Sequence, residues 1–355
     1  PMILEVARTD IRSSRLVDRS TQELAPGHVR LAIERFALTA NNVSYATAGD
    51  LLGYWDFFPT ESGWGRVPAM SIVTVEESTH PEVQPGRRLF GFTPMAGEVV
   101  LEVEPHANGF RDVGEHRSAH ANTYVGFTDV EHIAAFEEDT ADQYLLLHGL
   151  FMTSFLIDDF LSENGDFGAA QTLVTSASSK TSIALAHLHR LRGRPSVGLT
   201  SRRNKAFVEG LELYADVLIY DDIEDLDSSV ATSLVDMAGN GTVRSRVHEH
   251  FADRLAYSGL VGATHWDESD GGVGSLAGPA PAFFFAPSQI DRRNAEWGPD
   301  ETQRRIAAAF GEFVSDSSRW LKVEHRRGPL QAQAAWGEGV EGAAAPNIGI
   351  VVSMA

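Results

Sequence analysis

A run of small hydroxyl residues in the middle of the chain has the composition of a phosphate-binding turn. The short apolar segment Leu173–Val174 leads into Thr175-Ser-Ala-Ser-Ser-Lys-Thr-Ser182, and an apolar helix is predicted over residues 182–191. The N-terminus of a helix attracts anions through its free backbone N–H groups and its dipole. The residues predicted to bind the phosphate are Ser176, Ser178, Ser179, Lys180 and Thr181. Serine and threonine are also good N-caps, so an ordinary capped helix is the alternative.

A basic cluster follows the next predicted strand, residues 196–200. Its sequence is Ser201-Arg-Arg-Asn-Lys205, without a carboxylate. In dinucleotide-binding folds an acidic residue at this position binds the ribose 2′-hydroxyl, whereas NADP sites carry cations and hydroxyls there. The two turns together predict NADP(H) rather than NAD(H) as the cofactor. For the basic cluster, a solvated turn is the alternative explanation.

The elements around these turns are predicted to alternate between strand and helix, which is typical of a parallel sheet built from βαβ units. The predicted strands are 172–175, 196–200, 216–220, 232–236 and 259–263, and the predicted helices are 182–191, 204–214 and 243–255. Residues 1 to about 130 instead contain short β-like stretches separated by turns, with a polar surface loop predicted over 106–122. Further predictions are helices over 141–161 and 299–314 and strands over 283–286 and 347–353.

Composition limits the classes of function. The chain has 355 residues, of which 43% are hydrophobic and 22% charged, which favours a soluble protein of two domains, or of one large α/β domain with an appendage. Its formal net charge of −20 disfavours nucleic acid as a partner. No apolar run reaches the roughly 18 residues of a membrane span, and the N-terminus lacks a signal-peptide pattern, so we expect a cytoplasmic protein with no membrane partner. The chain has no cysteine, which removes disulfides and thiolate chemistry.

Several segments, taken in order, resemble the medium-chain dehydrogenase/reductase superfamily, on its zinc-independent quinone-oxidoreductase and enoyl-reductase side. The opening strand and the barrel turn of that family are similar to Leu24-Ala-Pro-Gly-His-Val-Arg-Leu31 and Val83-Gln-Pro-Gly-Arg-Arg-Leu-Phe-Gly91. Its strand–turn–helix resembles residues 173–190, and its second strand and turn resemble residues 197–205. The family's turn glycines fall here on serines and a lysine: Ser176, Ser179, Lys180 and Ser182.

The resemblance implies an α/β fold with a GroES-like barrel domain and a doubly wound Rossmann domain. The implied boundaries are 1–130 for the barrel, 131–281 for the NADP-binding domain, and 282–355 for a segment that returns to the barrel. In NADP-dependent relatives, the residues matching Ser201, Lys205 and Tyr220 surround the 2′-phosphate, and Arg202 fits there by charge. The resemblance also assigns cofactor contacts to Gly262 and, in a late loop, Phe285.

No metal is expected, because the catalytic and structural zinc sites of the alcohol-dehydrogenase branch need cysteine ligands. The pair His248 and His250 has a spacing that puts the two imidazoles on different helix faces, and we expect both to face solvent. Without zinc, another group must stabilise charge on the substrate. The resemblance offers Tyr45 as that group, with Asn41 or Asn42 contacting substrate or ribose. A tyrosine packed in the barrel is the alternative.

These inferences predict an NADPH-dependent, zinc-independent bacterial oxidoreductase that transfers hydride to a carbonyl or activated alkene of an apolar small molecule. The aromatic stretch over residues 49–58 is expected to line a hydrophobic pocket, to form barrel core or to make an oligomer contact, and a homodimer is one expectation. A cofactor-binding protein of the same fold without turnover and a lyase or isomerase on the same scaffold are the alternative functions.

Overall fold

The computed structural model describes residues 1–19, 23–120, 122–261, 276–342 and 344–355. The chain divides into two compact units. We call Pro1–Leu146 with Leu321–Ala355 the barrel unit, and Leu147–Trp320 the parallel-sheet unit. These boundaries differ from those implied by the resemblance. Residues 282–320 do not return to the barrel, because they first add a strand and then two helices to the parallel-sheet unit.

The bounds of the elements are as follows in chain order. The strands of the described residues are β1 Met2–Ala7, β2 Asp10–Asp18, β3 His28–Leu38, β4 Trp64–Gly65, β5 Pro68–Ser78, β6 Arg88–Pro94, β7 Glu98–His106, β8 Gly109–Asp112, β9 Gly126–Asp129, β10 Gln171–Val174, β11 Ser196–Thr200, β12 Asp216–Ile219, β13 Thr232–Asp236, β14 Leu255–Leu260, β15 Ala282–Phe283, β16 Lys322–Arg327 and β17 Ile348–Ser353. The helices are α1 Ala40–Thr47, α2 Asn122–Val125, α3 Ala141–Glu163, α4 Lys180–Leu191, α5 Lys205–Gly210, α6 Gly241–Phe251, α7 Ala286–Trp297, α8 Pro299–Ser317 and α9 Pro329–Val340.

The barrel unit is built around strand β3, which pairs with three other strands. The order β3-β5-β6-β9-β8-β7 closes because β7 pairs back onto β3. The C-terminal half of β3 also pairs with β17, which carries β16 on its outer side. Alternating buried residues of β3, such as Val29, Leu31 and Ile33, face the barrel core. This closed sheet confirms the predicted barrel.

The polar segment predicted as a surface loop is instead partly strand. Strand β8 forms a hairpin with β7, with His106 opposite Gly109 and Val103 opposite Asp112. The sequence pattern missed it because only Phe110 in this short strand is a large apolar residue, and it is buried. The hairpin is one of the pairs that close the barrel.

The parallel-sheet unit has the strand order β12-β11-β10-β13-β14-β15, which is the doubly wound order 3-2-1-4-5-6. All five residues of β11 and of β13 are buried, as expected for strands covered on both faces. The fold class is therefore confirmed. Because every strand runs the same way, the turns after β10, β11, β12 and β13 meet at one edge of the sheet.

Several predicted elements have different bounds in this unit. The helix predicted over 243–255 spans Gly241–Phe251, and the strand predicted over 283–286 is limited to Ala282–Phe283 because α7 begins at Ala286. The strand predicted over 259–263 spans Leu255–Leu260, and the helix predicted over 204–214 ends at Gly210. The helix stops early because Glu212 has a φ of +56°, which a helix cannot contain.

Helix α3 is apolar along most of its length. Within the described residues, the segment Glu138–Glu163 alone is long and apolar enough to span a membrane by length and composition, and 56% of its most apolar window is buried. Phe151 packs on Phe310 and Phe313, with ring centroids 5.2 and 5.3 Å apart, and Leu161 belongs to a core cluster that contains Val174 of β10. This burial is that of a core helix.

Two glycines of the barrel unit make room for one tryptophan. Trp55 is 2% exposed, and its indole lies against both Gly49 and Gly65. A Cβ atom built on either glycine would lie 2.2 Å from a ring atom of Trp55. The indole therefore fixes the turn that carries its neighbour Tyr54.

We expect Gly65→Ala to lower the free energy of unfolding by about 1–3 kcal/mol, because the added methyl group overpacks the indole. The matched control is Gly337→Ala in α9, where a Cβ atom meets nothing within 4 Å. This control should be neutral or should raise stability by up to about 1 kcal/mol, since alanine favours helix. Urea denaturation of both variants checks the prediction, and equal midpoints would contradict it.

Candidate functional site

The turn after β10 keeps the backbone shape that glycine usually provides. Ser176 has a φ of +51°, in the left-handed region that costs little only for glycine. Its backbone N–H donates a hydrogen bond to the hydroxyl of Tyr220, at 2.9 Å. Tyr220 directly follows β12 and is partly buried, and burial raises the pKa of its phenol. The predicted cofactor residues Ser176 and Tyr220 are therefore in direct contact.

The serines at the start of α4 turn their hydroxyls toward their own backbone. Ser179 is the N-cap, and its Oγ atom accepts from the N–H of Ser182 at 3.2 Å. The buried Ser182 hydroxyl donates to the carbonyl oxygen of Thr175 at 3.0 Å. Side chains engaged in this way do not fill the space in front of the helix. The backbone amides in the first turn of a helix have no acceptor within the helix itself.

Lys180 is the one cation of this turn. Its side chain is largely buried, and this burial lowers the pKa of its ammonium group to about 8. A lysine with such a pKa loses part of its charge just above neutral pH. An anion bound nearby would favour the charged form.

One hydrogen bond joins the first turn to the basic turn, Ser201–Lys205. The side-chain amide of Asn204 donates to Ser178 Oγ at 2.9 Å. Ser201 Oγ is buried, and it has no hydrogen-bond partner among the described residues. The structure thus brings the two sequence-predicted phosphate segments together at the carboxyl edge of β10 and β11.

Carboxylates lie closer to the basic turn than the sequence suggested. Arg202 Nη2 is 3.5 Å from Asp221 Oδ2, and both side chains are more than 70% exposed. Lys205 Nζ is 3.8 Å from Glu209 Oε1. Asp221 was missed because it follows the third strand, whereas the sequence argument considered only the end of the second.

A buried carboxylate at the end of β13 was also missed. Asp236 is 1% exposed and accepts hydrogen bonds from the Thr175 hydroxyl (2.8 Å) and the Gly239 N–H (3.0 Å). Arg244, in the first turn of α6, donates to its other oxygen at 3.2 Å. These residues lie where the strand order reverses between β10 and β13, the position at which such sheets bind ligands. The sequence signal that could have revealed Asp236 is an aspartate at the end of a buried strand.

Helix α1 of the barrel unit carries the three predicted catalytic residues. Asn42 is 3% exposed, and its Oδ1 atom accepts from the Thr39 backbone N–H at 2.7 Å. Its Nδ2 atom donates to the Pro68 carbonyl oxygen at 2.8 Å. The expected substrate contact by Asn42 is therefore replaced by a structural role in capping α1. Asn41, one residue earlier, is partly exposed.

Tyr45 belongs to a cluster of three tyrosines, Tyr45, Tyr54 and Tyr124, which we call the tyrosine cluster. The ring centroids of Tyr45 and Tyr54 are 4.6 Å apart, and the Tyr54 and Tyr124 hydroxyl oxygens are 3.4 Å apart. Burial raises the pKa of Tyr45 and Tyr54 well above the ordinary value, and Tyr124 raises both further. A weaker interaction with Asn41 lowers the pKa of Tyr45. The phenols of Tyr45 and Tyr54 are therefore held in their neutral form.

A buried arginine supports the tyrosine cluster. Arg117 is 1% exposed, lies 3.2 Å from Asp112, and donates to the Tyr124 carbonyl oxygen at 2.6 Å. Its guanidinium also packs over the rings of Phe57 and Phe58. The aromatic stretch over residues 49–58 is thus mainly barrel core, since Trp55, Phe57 and Phe58 are buried while Tyr54 is partly exposed.

The remaining predicted residues have other surroundings. Gly262 lies outside the described residues. Phe285 is 56% exposed, and its ring stacks on that of Phe283. The expectation that His248 faces solvent is wrong: it is fully buried, and its two ring nitrogens lie 2.8 Å from the Ala277 carbonyl oxygen and 2.9 Å from Ser258 Oγ. The face of α6 that carries His248 therefore packs toward the sheet.

Metal binding has no candidate site in the part of the chain that the structure describes, where no group of three or more His, Asp or Glu side chains could hold an ion. His250, on the other face of α6, contacts the Leu226 carbonyl oxygen through Nε2. Independence from zinc remains a prediction from the absence of cysteine.

The fold is similar to several solved structures over nearly the whole chain. These include CurA from Vibrio vulnificus in complex with NADPH (12% identity, 100% of this chain and 99% of that chain, TM-score 0.62). A putative NADPH:quinone reductase from Mesorhizobium loti is also similar (14% identity, 96% and 90%, TM-score 0.61). So is the yhdH oxidoreductase from Salmonella enterica in complex with NADP (12% identity, 100% and 99%, TM-score 0.57). At these identities the similarity shows the fold alone, the barrel-plus-Rossmann architecture predicted from the sequence.

A comparison of the sequence with curated proteins finds no match. A family model, in contrast, matches residues 36–345, which is most of the chain and includes both turns and the tyrosine cluster. The chain therefore belongs to the family described as protein of unknown function DUF2855.

Proposed function

We propose that this protein is an NADPH-dependent, zinc-independent oxidoreductase that reduces a carbonyl or activated alkene, of the enone or quinone kind, in an apolar small molecule. The observation that carries the proposal is the meeting of the first turn, the basic turn and Tyr220 at one edge of a sheet with the Rossmann strand order. A cytoplasmic location and a homodimer are further parts of the hypothesis.

The residues at this edge fit a dinucleotide with a 2′-phosphate. The left-handed backbone at Ser176 keeps the turn open without glycine, and the Ser179 and Ser182 hydroxyls bond inward. The amides of Lys180 and Thr181 would hold the pyrophosphate at the N-terminus of α4. Structures of the same fold crystallised with NADPH and with NADP support this choice of cofactor.

The 2′-phosphate would be held by Ser201, Arg202 and Lys205. The Ser201 hydroxyl is buried and lacks a partner among the described residues, so it has a hydrogen bond to offer. The ion pair between Arg202 and Asp221 is long and exposed, and such pairs are worth about 0–1 kcal/mol. A phosphate therefore competes readily with Asp221 for the guanidinium.

When bound, NADPH supplies the hydride, and the protein must supply the proton. Tyr45 is our choice of donor, because its raised pKa keeps the phenol protonated and an alkoxide or enolate is basic enough to take that proton. Tyr54, whose ring packs against Tyr45, adds a second neutral phenol. Arg117 positions Tyr124 through the bond to its carbonyl oxygen.

A cofactor-binding protein without turnover is the second candidate function. Its support is the hydrogen bond between the Ser176 N–H and Tyr220, which uses one amide of the first turn within the protein. A lyase or isomerase of this fold is a third. Oxidation of NADPH, followed by absorbance against a panel of enones, quinones and aldehydes, tests the proposal. Binding of NADPH with no oxidation by any member of the panel would favour the second candidate.

We expect Arg202→Ala and Lys205→Ala each to weaken NADPH binding by roughly tenfold or more. Each removes a charge-assisted contact worth about 1.5–3 kcal/mol. NADH lacks the 2′-phosphate, so its affinity should not change. Titration by intrinsic fluorescence measures both cofactors. The matched control is Arg190→Ala, an exposed arginine near the C-terminal end of α4, and equal affinities of both variants and this control for NADPH would contradict the assignment.

We expect Tyr45→Phe to lower the rate of reduction by roughly 10² to 10⁴, the usual effect of losing a general acid, with NADPH affinity unchanged. The pKa of Tyr45 is raised above the ordinary value of about 10, so its phenol stays protonated at every pH below about 10. The wild-type rate should therefore show no loss from this group up to about pH 10.

Tyr144→Phe is the control for this prediction. Tyr144 is a buried tyrosine of the same unit that packs on Phe90 and Phe136, outside the tyrosine cluster. The control should keep the wild-type rate. If Tyr45→Phe also keeps that rate with a confirmed substrate, Tyr45 is a packing residue and the acid is another group.

A further inference from the structure

A cavity of about 530 Å³ opens on the outer side of the barrel unit, over strands β16, β17 and β3. Its lining includes three arginines, Arg35, Arg326 and Arg327, together with Ser353 and Val351. None of these residues belongs to the tyrosine cluster or to the parallel-sheet unit. Two carboxylates, Glu34 and Asp142, also line the cavity, so its arginines outnumber its acidic side chains although the chain carries a net charge of −20.

The strand register aligns two of the arginines with the serine. Arg327 of β16 pairs with Ser353 of β17. Val352 of β17 pairs with Phe36 of β3, so the next antiparallel step puts Ser353 beside Arg35. Side chains directly opposite each other lie on the same face of a sheet. In the strand register Ser353 therefore lies between Arg327 and Arg35, on neighbouring strands spaced about 4.8 Å apart.

The three arginines of the cavity differ in how many carboxylates lie near them. Arg35 Nε lies 2.7 Å from Asp142 Oδ1, whose other oxygen is 3.2 Å from His325 Nε2. Arg326 pairs with Glu324 and Glu338. Arg327 is exposed, and among the described residues no carboxylate lies within ion-pair distance of it. One arginine in the cavity thus has its full capacity to bind an anion.

We propose that this cavity binds a small organic anion, with its carboxylate or phosphate group held by Arg327 and Ser353. The planar guanidinium donates two parallel hydrogen bonds to either group, and the serine hydroxyl adds a third. Glu34 and Asp142, which also line the cavity, repel a second anionic group, so the ligand carries a single one. This site is independent of the proposed reductase activity.

The test is calorimetric titration of the full chain with two probes, acetate and inorganic phosphate, at constant ionic strength set with chloride. The background variant carries Arg202→Ala and Lys205→Ala, so that phosphate does not bind at the basic turn. We expect Arg327→Gln to weaken binding by roughly tenfold or more, as loss of a charge-assisted contact does. Ser353→Ala should weaken it less. The tighter probe identifies the anionic group.

Arg12→Gln is the matched control, since Arg12 is an exposed arginine of the same unit outside the cavity. It should bind both probes as the background variant does. The thermal midpoint of Arg327→Gln in chloride should be unchanged, which separates lost binding from lost folding. The proposal is overturned if neither probe binds saturably, or if Arg327→Gln and Arg12→Gln bind equally.

Discussion

The left-handed turn at Ser176 is the constraint on which the candidate cofactor site depends. Strand β10 lies in the middle of the parallel sheet, and the chain must enter α4 within a few residues of leaving it. A non-glycine residue in this conformation costs about 1–2 kcal/mol. The hydrogen bond from the Ser176 N–H to Tyr220 offsets part of that cost and ties the turn to the end of β12. Tyr220 therefore holds the turn in shape as well as bordering the site, so its loss would change the backbone as well as the contacts to a cofactor.

Periodic features of the sequence predicted the fold, whereas partners distant in the chain escaped prediction. Strands buried on both faces give continuous apolar runs, so β10 to β13 and the resulting sheet edge could be predicted. The contacts of that edge could not, because Asp221 and Asp236 reach it from other strands. His248 was misjudged for a related reason. Spacing separates the faces of a helix, but only packing determines which face meets the sheet.

The barrel unit shows how local chemistry can remove a residue from a predicted site. Asn41, Asn42 and Tyr45 share one short helix, and from the sequence each was a plausible ligand contact. Asn42 is engaged by the Thr39 N–H and the Pro68 carbonyl, as asparagine often is at the start of a helix. Tyr45 instead meets Tyr54, which the sequence suggested only as part of an aromatic stretch, and Tyr124, from a distant segment. The tyrosine cluster is thus a tertiary feature that spacing along the chain does not reveal.

Arginine in this acidic chain is mostly engaged by carboxylates, which makes the exceptions informative. Arg88 contacts both Glu34 and Glu138, and Arg293 contacts Asp159, Glu163 and Glu296. Such networks stabilise the structure and leave little attraction for an outside anion. Arg202 has only a long, exposed pair, and Arg327 has none within the described residues. Since an exposed pair is worth at most about 1 kcal/mol, a phosphate or carboxylate can displace it or find the guanidinium free. At the basic turn and in the barrel cavity such an arginine has a serine beside it, Ser201 next to Arg202 in the sequence and Ser353 opposite Arg327, so anion binding at both sites follows from the same electrostatic reasoning.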